Sequence, residues 1–80
     1  MKRRLEKEKD AIALGISAIA KKYDVKPEIL QVLETKYDDD SGDWYVALGW
    51  EEKRAIIQMD SVHATIIDIK EIWSVIWKSI

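Results

Sequence analysis

The sequence predicts an α+β domain with an N-terminal helix, an antiparallel sheet of three or four strands and a C-terminal amphipathic helix. Three observations predict it. The first part of the chain has apolar residues at helical spacing, the middle alternates apolar and polar residues around short polar breaks, and the last twelve residues return to helical spacing. The chain of 80 residues makes a single domain, 1–80, close to the size at which one hydrophobic core is just sufficient.

The first predicted element is a helix that ends near Asp24. Its apolar positions are Leu5, Ile12, Ile16, Ile19 and Tyr23. The helix stops there because Pro27 disfavours helical geometry at the residue before it. Gly15 costs about 1 kcal/mol relative to alanine inside a helix, and we attribute its presence to a close approach to the sheet. Residues 1–10 are highly charged, and we expect them to form a frayed extension of this helix.

Three strands are predicted to follow the helix. The first covers residues 31–37, and we expect Leu33 and Tyr37 to share one of its faces, with Leu30 and Val32 nearer the other. An acidic turn, residues 38–43, and the pair Glu51-Glu52 then separate two strands that alternate cleanly. One face of the second strand has Trp44, Val46, Leu48 and Trp50, and one face of the third has Ala55, Ile57 and Met59.

The tail of the chain predicts a second helix, although its start has two readings. The apolar positions are Ile69, Ile72, Trp73, Ile76, Trp77 and Ile80. Asp68, followed three residues later by Glu71, resembles a capping box, which favours a helix that starts after Asp68. The same spacing continues back to Val62, which would start the helix at Ser61, but the β-branched residues 65–67 favour a strand. We expect a turn, a short strand and then the helix.

Composition excludes several classes of protein. The absence of cysteine excludes a disulfide scaffold and a thiolate metal site. No run of 18 apolar residues occurs, so we expect no transmembrane segment. Glu6, Glu8 and Asp10 stand where a signal peptide needs apolar residues. As written, the chain is therefore expected to be soluble and to lack an export signal.

Charge is distributed unevenly along the chain. The net charge is only −2, yet the first nine residues are mainly basic, and residues 38–52 contain six carboxylates and no basic residue. These segments are either solvated surfaces or charged surfaces that attract a partner. Nucleic acid is not an expected partner, because acidic residues interleave with the N-terminal cations and the aromatic residues form no platform motif.

The residues needed for catalysis or metal binding do not form a pattern. A serine-based site would have to use His63, the only histidine, and no serine lies in a glycine-flanked elbow. An EF-hand loop starting at Asp38 would need glycine where Asp43 stands and glutamate where Gly49 stands. We therefore expect no catalytic residue, no metal and no cofactor, and we do not expect an enzyme. His63 is expected to be an exposed turn residue.

Large apolar residues outside the predicted core provide a candidate protein interface. Trp73 and Trp77 share a face of the predicted C-terminal helix and either cover the sheet or anchor a partner. If both helices cover the same face of the sheet, the other face exposes Tyr45 and Ile56. If the second helix is surplus, its apolar stripe needs a partner, most simply a second copy. The candidate interface residues are Trp73, Trp77, Ile80, Tyr45 and Ile56.

Five short segments together resemble a known family. They are residues 18–23, 32–38, 44–48, 57–61 and 66–69. In this order, residues 11–71 resemble a PepSY-type domain, which has a helix, a strand, an acidic or glycine-containing turn, two further strands and a final short strand. The sequence departs from that pattern at Ala64, where the family usually carries glycine and where alanine does not readily adopt positive φ. The predicted C-terminal helix also lies outside the family core.

The resemblance implies an interaction module that restrains peptidases near the bacterial envelope and has no catalytic residues. It makes Asp60 a structural turn residue. The predicted function is therefore a non-catalytic protein–protein interaction module, PepSY-like and peptidase-restraining. The alternative is a small cytoplasmic or viral accessory protein that forms homo-oligomers, such as a homodimer, or blocks a host protein. The location is the envelope if an export signal was trimmed from the chain, and the cytoplasm otherwise; the sequence does not name the partner.

Overall fold

The computed structural model describes residues 4–73, which form one helix and a four-stranded antiparallel sheet. The helix, α1, is Glu8–Tyr23, and a short 3-10 turn, Pro27–Ile29, follows it. The strands are β1, Gln31–Asp38; β2, Asp43–Trp50; β3, Lys53–Asp60; and β4, Thr65–Trp73. They lie in the order β1-β2-β3-β4, so each strand pairs with the next one along the chain. The α+β class and the antiparallel sheet are confirmed.

The end of α1 agrees with the prediction, whereas its start does not. Asp24 adopts the left-handed conformation with φ 54° just after the helix, and the Val25 N–H donates a hydrogen bond to the Ala20 carbonyl at 3.2 Å. This is the hydrogen-bonding pattern that commonly closes a helix. The helix begins at Glu8, so the prediction that Leu5 belongs to it is wrong.

Leu5 instead anchors the segment that precedes the helix. Its N–H donates a hydrogen bond to the Ser61 carbonyl at 2.9 Å, and its carbonyl accepts one from Trp44 Nε1 at 2.8 Å. The Leu5 side chain is only 6% exposed and belongs to the hydrophobic core. An exposed helical extension would be free to fray, but at Leu5 both backbone groups are paired and the side chain is buried.

The face of the sheet beneath α1 forms the core, as the alternation in β2 and β3 predicted. Val46, Leu48, Ala55, Ile57 and Met59 are all 0% exposed. The buried positions of α1 are Ala11, Gly15 and Ile19. A Cβ atom on Gly15 would lie 3.4 Å from Val46 Cγ1 and 3.5 Å from Met59 Cε. Helix and sheet therefore approach each other closely at this glycine, which confirms the reason predicted for it.

The faces of β1 differ from the prediction because the strand contains a bulge. Val32 lies opposite Leu48 and Glu34 lies opposite Ala47, which leaves Leu33 as the extra residue. One inserted residue reverses the alternation that follows it. Tyr37 consequently lies opposite Trp44, on the same face as Val32. Leu33 packs at Gly49 on the other side, so the prediction that Leu33 and Tyr37 share a face is wrong.

A second bulge explains why the tail was misread. The turn and the strand at residues 61–67 agree with the prediction, but β4 continues to Trp73, so the helix predicted after Asp68 is wrong for residues 69–73. Ile66 lies opposite Met59 and Ile69 lies opposite Ile57, with Ile67 as the extra residue between them. The bulge thus places two isoleucines three residues apart on one face, a spacing that resembles a helix.

Candidate protein-binding face

The side of the sheet turned away from α1 is called the open face here. In β1, β2 and β3 it has Glu34, Lys36, Tyr45, Ala47, Ile56 and Gln58. The strand register arranges these residues in two rows. Glu34, Ala47 and Ile56 lie side by side in one row, and Lys36, Tyr45 and Gln58 lie side by side in the next. Tyr45 and Ile56 are therefore diagonal neighbours, and both are half-buried.

β4 continues both rows with charged residues. Lys70 lies opposite Ile56, and Asp68 lies opposite Gln58. With Glu34 and Lys36 on β1, both rows have charged residues of opposite sign at their two ends. The centre of the first row is apolar, Ala47 and Ile56, and the centre of the second is Tyr45 and Gln58. Such an arrangement has the composition of a small protein interface, which places apolar and aromatic residues at the centre and polar residues at the rim.

A groove of about 640 Å³ crosses this face near the β1–β2 turn. Its apolar lining comes from Tyr45, Ala47 and Ile56, and its charged lining comes from β1 and the residues just after it. The charged residues are Glu34, Lys36, Asp38, Asp39 and Asp40. The groove joins the Tyr45–Ile56 patch to the acidic turn, two features that the sequence separates by several residues.

The acidic turn is held in place by hydrogen bonds within the chain. The Asp40 N–H donates to Asp38 Oδ1 at 3.0 Å, and the Gly42 N–H donates to the Asp38 carbonyl at 2.8 Å. Gly42 has φ 75°, a conformation that glycine adopts readily. Asp43, which is 8% exposed, accepts a hydrogen bond from Gln58 Nε2 at 2.8 Å. Asp43 is thus a structural residue, whereas Asp39 and Asp40 remain exposed.

The β3–β4 turn is organised by Asp60. Its Oδ1 accepts a hydrogen bond from the Val62 N–H at 3.0 Å, and its Oδ2 lies 2.6 Å from His63 Nδ1. The side chain of His63 is 71% exposed, so His63 is an exposed residue of this turn, as the sequence predicted. The turn closes with Ala64 at φ 55°, so this alanine does adopt the left-handed conformation in which glycine is favoured.

Ser61 lies between Asp60 and His63 in the chain but is not available as a nucleophile. Its side chain is 0% exposed, and its Oγ donates a hydrogen bond of 2.6 Å to the Gly42 carbonyl. A Ser-His-Asp arrangement requires the hydroxyl to donate to the histidine and to be reachable by substrate. In this turn the hydroxyl instead ties the β3–β4 turn to the acidic turn, and the Asp60–His63 pair shapes the backbone.

Acid should weaken this turn. The hydrogen bond from His63, followed by that from the Val62 N–H, holds the pKa of Asp60 below its usual range. A carboxyl group whose pKa is lowered by folding stabilises the protein above its unfolded pKa, near 3.9, and loses that contribution as the pH falls through the lower folded value. We expect Tm to fall on acidification below about pH 4 partly because of Asp60.

The measurement is Tm against pH for the parent chain and for Asp60→Asn. Because the asparagine side chain does not titrate, the Tm difference between the two proteins should shrink as the pH falls from about 5 to about 2. A difference that does not change between about pH 5 and pH 2 would show that the Asp60 carboxylate contributes nothing to the turn.

The structure brings together only part of the candidate interface. Tyr45 and Ile56 lie together on the open face. Trp73 ends β4, where its backbone pairs with Lys53, while Trp77 and Ile80 lie outside the described residues. Sequence reasoning missed Glu34 and Lys36 as neighbours of Tyr45 and Ile56. The register of the β1–β2 hairpin would have shown that these residues are neighbours. Predicting that register requires the turn geometry and the position of the bulge.

Searches against protein families, curated proteins and solved structures find no match for this chain. The resemblance to a PepSY-type domain therefore stays a prediction. Within residues 4–73, no helix is long and apolar enough to cross a membrane. Within the same range, no three histidine, aspartate or glutamate side chains converge as ligands for a metal ion.

Proposed function

We propose that this chain is a non-catalytic protein-binding module that uses the open face around Tyr45 and Ile56. One observation carries the proposal. Helix α1 buries one face of the sheet, whereas the described part of the chain leaves an aromatic and an aliphatic side chain half-exposed on the other. A surface on ordered strands is rigid before binding, so little conformational entropy is lost when a partner docks.

The composition of the open face supports a protein partner. Tyrosine is enriched at the centres of protein interfaces because its ring offers a large contact area with few rotatable bonds and its hydroxyl can form a hydrogen bond. Ile56 and Ala47 extend the apolar area beside that ring. The charged residues around them can fix the orientation of a partner.

The finer form of the proposal is a PepSY-like domain that restrains a peptidase. Two observations support it. The order of elements is the one that the resemblance implies, with a helix, a strand, an acidic glycine-containing turn and three further strands. Ala64 also takes positive φ, the conformation that glycine favours at the position where the family usually carries it.

The second candidate is an accessory protein that assembles with its own copies or blocks a host protein. It is favoured by the start of β1, which lies at an edge of the described sheet. Val32 and Leu33 are 43% and 47% exposed there, close to Ile29 at 44%. Sheet edges with exposed apolar residues readily pair with another chain. Sedimentation analysis tests the self-assembling form of this candidate, because pairing through β1 would give dimers of the isolated protein.

Affinity capture with matched variants tests the proposal. The parent chain, the double variant Tyr45→Thr/Ile56→Thr and the control Ile67→Thr are each used to capture proteins from cells and from the secreted fraction. Threonine preserves strand propensity while removing apolar surface. Ile67 is 51% exposed and lies on β4, away from the residues that line the groove, so its variant controls for the loss of exposed isoleucine.

We expect a stoichiometric partner with the parent chain and the control, and its loss with the double variant. A peptidase among the captured proteins supports the PepSY-like form. Capture that is equally efficient with the double variant would show that the open face is not the binding surface. Circular dichroism of all three proteins verifies that they are folded.

A further inference from the structure

We infer that the open-face groove binds a cationic segment of a partner protein, one with lysine or arginine residues beside a large apolar side chain. This inference rests on the proposed function and names the chemistry of the partner. It goes beyond that function because the Tyr45–Ile56 patch by itself fits any apolar side chain. The charge around the groove selects which residues can stand beside that apolar side chain in a partner.

The base of the groove is apolar. Tyr45 and Ala47 are two residues apart in β2 and therefore lie on the same face, and Ile56 lies opposite Ala47 on β3. All three are half-buried and line the groove of about 640 Å³. A single leucine, isoleucine or aromatic side chain placed there would cover apolar surface that water otherwise contacts, which is favourable.

The rim of the groove is mainly acidic. Four carboxylates line the groove, from Glu34, Asp38, Asp39 and Asp40, against the one ammonium group of Lys36. Their charges sum to −3 when all are ionised. Glu34, Asp39 and Asp40 are exposed, so a partner can reach them. An anionic segment would be repelled, a neutral one would gain only the apolar contact, and a cationic one gains both.

The geometry of β1 sets the spacing that a partner must meet. Glu34 and Lys36 point to the same side of β1 and lie opposite Ala47 and Tyr45 respectively. The acidic turn, residues 38–43, continues beyond them at the end of the strand. A cation near Asp39 and Asp40 would therefore lie toward the turn end of the groove, and the apolar side chain would lie toward Ile56.

The basic N-terminal residues of the same chain are the competing occupant. Leu5 is hydrogen-bonded to Ser61, and the Ser61 N–H donates to the Gly42 carbonyl at 3.2 Å, so the exposed Arg4 lies at the same end of the sheet as the acidic turn. Leu5 itself, however, packs with the core beneath α1, on the side opposite the groove. This placement favours a partner protein as the source of the cationic segment.

The test is a titration of the full chain with short peptides, followed by two-dimensional NMR of the backbone amides. The probe is an acetylated and amidated pentapeptide, Lys-Leu-Lys-Leu-Lys. The two comparison peptides are Glu-Leu-Glu-Leu-Glu, which reverses the charge, and Lys-Ser-Lys-Ser-Lys, which removes the apolar side chains. We expect the probe to bind more tightly than either, with shifts concentrated at residues 34–40, 45–47 and 56.

Two pairs of substitutions locate the charge effect. Asp39→Asn/Asp40→Asn removes two exposed charges from the rim with almost no change of shape, and it should weaken probe binding by about three- to tenfold. The matched control, Glu6→Gln/Glu28→Gln, removes two exposed charges away from the groove and should leave binding unchanged. Equal weakening by both pairs, or equal binding of the glutamate peptide, would overturn the inference.

A third variant separates the two sources of the cationic segment. Lys2→Ser/Arg3→Ser/Arg4→Ser should bind the probe as the parent chain does. If it binds several-fold more tightly, the chain's own N-terminus occupies the groove and the inference is overturned. Failure of the peptide tests, together with capture that depends on Tyr45 and Ile56, would refute the cationic partner and leave the proposed function intact.

Discussion

Ile57→Ala is expected to lower the free energy of unfolding by about 3 kcal/mol, whereas Ile56→Ala lowers it by less than about 1 kcal/mol. The two residues are neighbours in β3 and lose the same atoms. Ile57 is 0% exposed beneath α1 and lies opposite Val46 and Ile69, so its truncation leaves a cavity in the core. Ile56 is half-buried on the open face, where water can fill the space.

Urea denaturation followed by tryptophan fluorescence measures both variants, because Trp44 and Trp50 are buried in the same core. For a domain of this size, a loss of about 3 kcal/mol is a large part of the total stability. Ile57→Ala is therefore expected to be partly unfolded without denaturant at physiological temperature. Equal losses for the two variants would contradict the assignment of one covered and one open face.

Leu5→Ala is expected to cost about 2–3 kcal/mol, although Leu5 precedes the helix and the sequence predicts a frayed extension for the first ten residues. The side chain is 6% exposed within the core cluster, and the backbone is fixed to both Ser61 and Trp44. Truncation removes core contacts and weakens the packing that holds these two hydrogen bonds. We expect the Leu5 amide to lose its protection from hydrogen exchange in this variant.

The matched control is Leu33→Ala, the same truncation at a residue that is 47% exposed on β1. It should cost less than about 1 kcal/mol, because a large part of the leucine already contacts water. If Leu5→Ala were no more costly than Leu33→Ala, the N-terminal segment would be frayed, as the sequence alone suggests, and the anchor at Ser61 and Trp44 would not contribute to stability.

The parts of the fold that the sequence predicted are those in which one physical signal acts alone. β2 and β3 alternate without interruption, so their buried and open faces follow from the two-residue period. The end of α1 follows from Pro27, which restricts the backbone locally. Tyr45 and Ile56 were found for the same reason, since residues between buried ones in a strand point to the other face.

The parts that the sequence did not predict depend on contacts between distant residues. The bulges at Leu33 and Ile67 are visible only in the pairing of strands, and each reverses the faces that follow it. Near Ile69 the bulge also produced a spacing of three, so a strand was mistaken for a helix. The anchor at Leu5 depends on Ser61 and Trp44, which no local pattern connects to it.

The rim of the groove was unpredictable for a related reason. The acidic turn is plain in the sequence, but its approach to Ile56 requires β1, β2 and β3 to be in register. The charges of residues 38–52 alone are compatible with two interpretations, a solvated surface or a charged surface that attracts a partner. The structure adds an apolar groove beside three of those carboxylates and Glu34, and the inference about a cationic partner depends on that combination.

The central claim is that the open face is free for a partner, and methyl NMR of Ile56 and Ile57 tests it most directly. A soluble paramagnetic agent broadens methyl signals that contact solvent. The account predicts strong broadening at Ile56 and little at Ile57 in the isolated chain, with Ile56 becoming shielded when the captured partner is added. An Ile56 methyl that is already shielded in the isolated chain, or that stays broadened in the complex, would contradict it.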